Sequence, residues 1–245
     1  MRFSVKFAVA GDEKKIPLQY RNMFLSIMKK IFENGSEAVY DSFYGENKNV
    51  VKPFCFAVYL PKPKWLDDEV EIEGGNLTLN FSTSDMEKGI YFFNGLLKQE
   101  GKEFSYKNYK LKMEKINMGK EKVITLRETI FKTLSPIVVR VHNREENRDE
   151  YITVENPKFI EEFEKTLKAR VEVLTGLKRE IKAEGIDMKK NVIKHKVGEN
   201  KEKEIMIDVS SGVFKLTADI DVLDLLYKAG VGGRTGEGFG MVEVV

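Results

Sequence analysis

Several chemically demanding residues are scarce in this chain. Its 245 residues include one cysteine, Cys55, which excludes an internal disulfide framework and fits a reducing cytosol. The two histidines, His142 and His195, lie far apart, which with a single cysteine argues against a structural zinc site. No apolar run approaches the roughly 18–20 residues of a membrane span. The opening Met1-Arg2-Phe3-Ser4-Val5-Lys6-Phe7 alternates like a strand and carries no signal-peptide h-region or cleavage site. These shortages point to a cytoplasmic protein with no membrane contact and neither metal nor organic cofactor. Net charge is also small: 41 Lys+Arg face 39 Asp+Glu, a balance of +2, so the distribution of charge says more about partners than its sum.

A hydrophobic content of 42% suffices for packed cores, and the length allows one large domain or two of about 100–150 residues. Phe3, Val5, Phe7 and Val9 form a period-2 strand. Pro17 stands where a helix can begin, with Phe24, Ile27, Met28, Ile31 and Phe32 at helical spacing and Asn34-Gly35 as its end. A loop over residues 40–49 follows, then a strand over 51–60. Two further strands, 69–73 and 76–82, meet at a Gly74-Gly75 turn. A second helix starts near Ser84 with Met86, Ile90, Phe93 and Leu97 on one stripe, and residues 104–116 read as strand. The second half repeats the order. Strands at 133–141 and 151–154 precede a helix opened by Pro157, with Phe159, Ile160, Phe163, Leu167, Val171 and Leu174 inward. A hairpin at 190–197 and 203–209 turns around Gly198-Glu199-Asn200. A strand at 214–218, a short helix capped by Asp219 or Asp221, and a strand at 241–245 complete it. The fold class is therefore α+β: two tandem ferredoxin-like (RRM-like) βαββαβ domains, over residues 1–120 and 121–245.

The densest motif is Gly230-Val231-Gly232-Gly233-Arg234-Thr235-Gly236-Glu237-Gly238-Phe239-Gly240, with six glycines in eleven residues. Such a loop lets backbone N–H groups approach phosphates. It is no Walker A loop, since no Gly-Lys-Ser/Thr follows, and no dinucleotide fingerprint, since too little chain remains for the required helix. The pattern Gly-apolar-Gly, five residues, Gly-apolar-Gly resembles the signature of the CRISPR repeat-processing endoribonucleases of the RAMP superfamily. Thr133-Leu134-Ser135-Pro136-Ile137-Val138-Val139 is similar to that family's first strand of the second domain. The resemblance implies metal-independent cleavage of repeat transcripts and retention of the product within a CRISPR surveillance complex. A homodimer is compatible with the architecture.

The implied reaction is attack of an RNA 2′-OH on the adjacent phosphate, giving a 2′,3′-cyclic phosphate and a 5′-OH. It needs an acid, a base and cations around the phosphorane. Many family members carry a histidine after the first helix. Here the segment is Tyr40-Asp41-Ser42-Phe43-Tyr44-Gly45-Glu46, with Ser42 near that position, which resembles the histidine-lacking branch. The catalytic candidates are Lys29, Lys52, Arg234, Tyr44, Tyr40 and Ser42. Arg234 offers paired donors to a phosphate. An ordinary lysine is a poor base at neutral pH, so positioning supplies most of the rate and turnover is slow. The RNA-binding candidates are Lys189, Lys190, Lys194, His195 and Lys196 on a basic hairpin, and Gly232, Gly233, Gly236 and Gly238 in the loop. Residues 107–115, with Tyr106 and Tyr109 interleaved, form a second basic surface. Cys55 reads as a buried apolar residue, Trp65 as a loop anchor and His142 as the cap of an exposed strand end. The competing function is a non-catalytic RNA-binding subunit of the same superfamily.

Overall fold

The computed structural model describes residues 1–11, 13–45, 50–143, 148–197 and 203–245, with the side chains of 143, 148, 194–197 and 203–205 outside the description. The hairpin turn expected at Gly198-Glu199-Asn200 therefore lies outside the described residues. The chain divides into two compact units: Met1–Lys52 with Ala57–Glu121, and Pro53–Phe56 with Lys122–Val245.

The chain up to Met118 runs β1 (Arg2–Val9), β2 (Lys15–Pro17), α1 (Tyr20–Gly35), α2 (Glu37–Tyr44), β3 (Phe54–Tyr59), β4 (Pro63–Trp65), β5 (Glu69–Ile72), β6 (Asn76–Thr83), α3 (Met86–Gln99), β7 (Glu103–Tyr106) and β8 (Tyr109–Met118), with the first three residues of β3 counted in the second unit. Its main sheet has the order β3-β6-β1-β8-β7, with β1 antiparallel to both β6 and β8. This is the ferredoxin-like order. Phe3, Val5, Phe7 and Val9 all point into the core, as the alternation requires, and Phe3, Phe32, Phe81 and Phe92 interlock there.

Four expectations for this unit are corrected. Pro17 does not open α1. It ends β2, because Ile16 is fully buried opposite Val70, and the helix starts three residues later. Residues 40–44 are helix, not loop: Ser36 caps α2 by accepting from Val39 N–H, and Val39 and Phe43 bury one side. The strands on either side of Gly74-Gly75 do not pair with each other. β5 joins a separate sheet of order β2-β5-β4, while β6 joins the main sheet. On α3, Met86, Ile90 and Leu97 are exposed, and the buried stripe is Gly89, Phe92, Gly95, Leu96 and Gln99. The reason is a tight helix crossing. A Cβ on Gly95 would stand 2.0 Å from the Ile31 carbonyl oxygen, and one on Gly35 2.0 Å from that of Tyr91. Gly95→Ala should force α1 and α3 apart and cost about 2 kcal/mol, lowering Tm by roughly 4–8 °C in thermal unfolding.

The second unit runs β9 (Glu128–Thr133), β10 (Arg140–Asn143), β11 (Arg148–Tyr151), α4 (Phe159–Thr175), β12 (Lys182–Val197), β13 (Lys203–Thr217), α5 (Ile220–Ala229) and β14 (Val242–Val244). Its sheet, β12-β13-β9-β14, repeats the order of the first unit's sheet. The expected strand over 133–141 is corrected. The first strand is β9, and the chain leaves the sheet at Pro136, which has no N–H for a ladder. Ile137 and Val138 make only isolated bridges, to Ser210 and Gly233. The strand expected at 151–154 lies earlier, as β11 paired with β10. The strand at 214–218 is the end of β13, which pairs with β12 through a bulge between Gly185 and Asp187. No helix among the described residues is long and apolar enough to cross a membrane.

Candidate nucleic-acid site

Within the first unit, α1 and α2 bring three of the expected residues together. Tyr40 and Tyr44 are one helical turn apart on α2, with ring centroids 5.5 Å apart. Lys29 reaches across from α1, placing Nζ 5.1 Å from the Tyr44 ring centroid, and Lys52, just before β3, places Nζ 4.8 Å from it. Phe32 and Phe43 flank the same ring at 6.3 Å each. Two ammonium groups thus border one aromatic ring, whose π face attracts cations. Ser42 is different in kind. Its Oγ donates to the Val39 carbonyl at 2.7 Å, so the hydroxyl proton is committed within the helix. Lys30 turns away and lies 5.7 Å from the Phe104 ring.

The glycine-rich loop belongs to the second unit and is a set of backbone crossings. Gly230, Gly232, Gly238 and Gly240 all have positive φ. Val231 N–H donates to the Gly240 carbonyl, Gly233 N–H to Val138, Gly238 N–H to Thr235 and Gly240 N–H to Pro136. A Cβ on Gly232 would meet the Val138 carbonyl oxygen at 2.7 Å. Gly236 is buried in the short 3-10 turn Thr235–Glu237. Much of the loop's hydrogen bonding is thus spent on its own shape. Arg234, in left-handed conformation, donates through Nη1 to both Glu237 oxygens at 3.0 and 3.3 Å and through Nη2 to the Tyr151 hydroxyl at 3.1 Å. Burial opposes its charge, but Glu237 and Tyr151 outweigh that and hold its pKa above the ordinary arginine value. Its Nε has no hydrogen-bond partner among the described residues.

On the long hairpin, Lys189 is exposed. Lys190 is paired with Asp208 at 2.7 Å, a contact that raises the lysine pKa. Lys194, His195 and Lys196 stand in register opposite Met206, Ile205 and Glu204. In the other basic segment, Lys107 turns the β7–β8 hairpin with φ 53°, and Tyr109 donates to Glu69 at 2.9 Å. His142 sits 3.1 Å from Asp149, and this bond, with Arg140 nearby, holds the Asp149 carboxyl below its usual range. Cys55 is fully buried, as expected.

The model of the family described as CRISPR associated protein Cas6, C-terminal, matches residues 119–244. The chain belongs to the CRISPR-associated Cas6 family. Solved structures agree on the fold. One reported as the characterization of a Cas6-related gene from Pyrococcus furiosus has a TM-score of 0.85 at 22% identity, covering 100% of this chain and 98% of its own. A RAMP protein described as binding different RNA substrates reaches 0.84 at 23% identity, with 100% and 99% covered. A CRISPR associated protein Cas6 reaches 0.78 at 22%, again with 100% and 99% covered. No curated protein sequence matches the chain. The Cas6-family fold here is the tandem ferredoxin-like arrangement read from the sequence.

This Cas6-family chain also has site residues that sequence reasoning missed. Arg170 on α4 is 7% exposed and donates Nε to the Gly230 carbonyl at 3.0 Å and Nη2 to that of Ala229 at 2.6 Å. Burial lowers its pKa to about 10, still charged at neutral pH. It caps the C-terminus of α5 and fixes the entry of the glycine-rich loop. The available signal was an arginine at inward helical spacing, three residues after Leu167. Tyr151 and Glu237, which hold Arg234, had no such signal.

Proposed function

We propose that this protein cleaves CRISPR repeat transcripts into guide RNAs without a metal ion. The first domain, over 1–120, supplies the lysine–tyrosine cluster, and the second, over 121–245, supplies the basic hairpin and glycine-rich loop. The observation that carries the reading is the convergence of the Lys29 and Lys52 ammonium groups on the Tyr44 ring. The 2′-oxygen attacks phosphorus as its proton passes to water, the P–O5′ bond breaks, and one lysine protonates the departing O5′. The other ammonium stabilises the phosphorane charge, and Arg234 in the glycine-rich loop clamps an RNA phosphate. Tyr44 holds both lysines and Tyr40 packs on it. Lys189, Lys190, Lys194, His195 and Lys196 grip phosphates, so affinity falls with salt. Gly232, Gly233, Gly236 and Gly238 let the loop backbone approach the RNA. With no histidine in the cluster, turnover is slow. After cleavage the product stays bound, within a cytoplasmic CRISPR ribonucleoprotein. A homodimer suits this architecture and is read directly by light scattering.

The commitment of Ser42 to the Val39 carbonyl favours a second reading, a non-catalytic RNA-binding RAMP subunit. A labelled repeat RNA incubated in EDTA separates the two. One specific cut, unchanged by the chelator, is expected. Tight binding without a cut would favour the second reading.

A further inference from the structure

Within the second unit, β10 and β11 form a two-stranded ribbon apart from the larger sheet. Its register sets Arg140 opposite Tyr151 and His142 opposite Asp149. Directly opposed residues, and residues two apart on a strand, share a face. Arg140, His142, Asp149 and Tyr151 therefore line one side of the ribbon, and Val141 and Glu150 the other. Val141 packs against the core of the unit. On the polar side, the Arg140 and His142 side chains are half exposed.

The contacts on this side form a continuous row. Asp149 takes His142 Nδ1 on one carboxylate oxygen and Arg140 Nη1 on the other, each at 3.1 Å. Arg140 stands opposite Tyr151, whose hydroxyl accepts from Arg234 of the glycine-rich loop at 3.1 Å. Glu237 accepts from the same Arg234 guanidinium. With Nδ1 on the carboxylate, Nε2 is the His142 nitrogen left for a ligand. Arg140 spends Nη1 on Asp149, so the rest of its donor fork can meet a second acceptor. Arg140, His142, Asp149, Tyr151, Arg234 and Glu237 are the charged and titratable groups that the described contacts place on the row. With His142 neutral, the two arginines balance the two carboxylates. With it protonated, the row is net positive.

Cationic side chains at alternate strand positions, leading to a loop shaped for phosphate, suit a ligand that repeats its negative charge along a chain. An RNA backbone is such a ligand. We propose that Arg140 and His142 extend the contact of the glycine-rich loop along the RNA backbone, each meeting a phosphate beyond the one held by Arg234, with Asp149 positioning both. This rests on the reading that the protein binds RNA, and not on whether it cuts. His142 contributes only when protonated, so its contact strengthens as pH falls.

The test titrates the full-length protein into a labelled repeat RNA made uncleavable by a 2′-deoxy nucleotide before the cut. Anisotropy is read at about pH 6 and about pH 8, at fixed ionic strength. The parent should bind more tightly at the lower pH. His142→Gln should weaken binding about 2–5-fold there and leave it unchanged at the higher pH. His195 is the other histidine of the chain, so His195→Gln run beside it separates the long hairpin's share of the pH response. Arg140→Gln should weaken binding at both pH values and reduce the slope of log affinity against log salt by about 0.7–0.9. Asp149→Asn should flatten the pH response, although it removes a negative charge from the row. Tm measured alongside shows that each variant folds. A His142→Gln protein that matches the parent at both pH values, or loses affinity equally at both, would overturn the role of His142. An Arg140→Gln protein with the parent's salt slope would overturn that of Arg140, and an Asp149→Asn protein with the parent's pH response that of Asp149. RNA binding and cleavage would stand in each case. Absence of RNA binding by the parent would overturn the row and the RNA reading together.

Discussion

Lys52→Ala should slow single-turnover cleavage of the repeat RNA by about 10²–10³-fold, the usual consequence of removing one pre-placed charge from a phosphoryl transition state. Affinity for the RNA should fall by less than about tenfold, since the basic hairpin and the loop supply most phosphate contacts in the proposed arrangement. Lys29→Ala should behave alike. The double variant should lose less than the product of the two losses, because both ammonium groups share the Tyr44 ring. Tyr44→Phe keeps the ring and should cost little, whereas Tyr44→Ala should approach the double lysine variant. Quench-flow rates with saturating enzyme separate these effects from binding. A Lys52→Ala protein that cuts at the parent rate would remove the cluster from the chemistry.

Gly240→Ala should produce the largest loss of stability among single glycine changes in the loop. The added Cβ would stand 1.9 Å from the Val231 carbonyl oxygen, and the residue has φ +68°. Overpacking and left-handed strain together amount to about 3–5 kcal/mol. For a chain of this length that lowers Tm by roughly 6–20 °C. Gly176→Ala is the matched control. It has φ +74° at the end of α4 but nothing within 4 Å of its Cβ, so only the backbone strain applies and the loss should be about a quarter to a half as large. Differential scanning calorimetry on the two variants decides the point. Equal shifts would mean that the loop gives way at Gly240, contrary to the backbone crossing described here.

Both ferredoxin-like repeats were legible because their strands alternate cleanly and their long helices keep apolar spacing, as in Phe3–Val9 of β1 and Phe159–Val171 of α4. What was not legible depends on contacts distant in sequence. The α3 stripe shifts toward Gly95 because α1 happens to cross there, and no property of α3 alone reveals that. The small sheet β2-β5-β4 draws on three separate segments, so Pro17 read as a helix start and Trp65 as a loop anchor rather than as strand. The site follows the same division. Lys29, Lys52, Tyr44 and Arg234 came from residue type and family resemblance. The meeting of the first three on one ring requires residues 40–44 to be helical, a signal that lay in the Ser36 cap and the Val39/Phe43 spacing. Arg170 was hidden because its task, capping Ala229 and Gly230, joins residues 59 and 60 positions apart.

The most direct test of metal-free 2′-OH attack uses two repeat RNAs in EDTA, identical except for a 2′-deoxy substitution at the nucleotide preceding the mapped cut. The unmodified RNA should give one cut with 2′,3′-cyclic phosphate and 5′-OH ends, and the substituted RNA should bind equally well and remain whole. Cleavage of the 2′-deoxy RNA at the same position would contradict it.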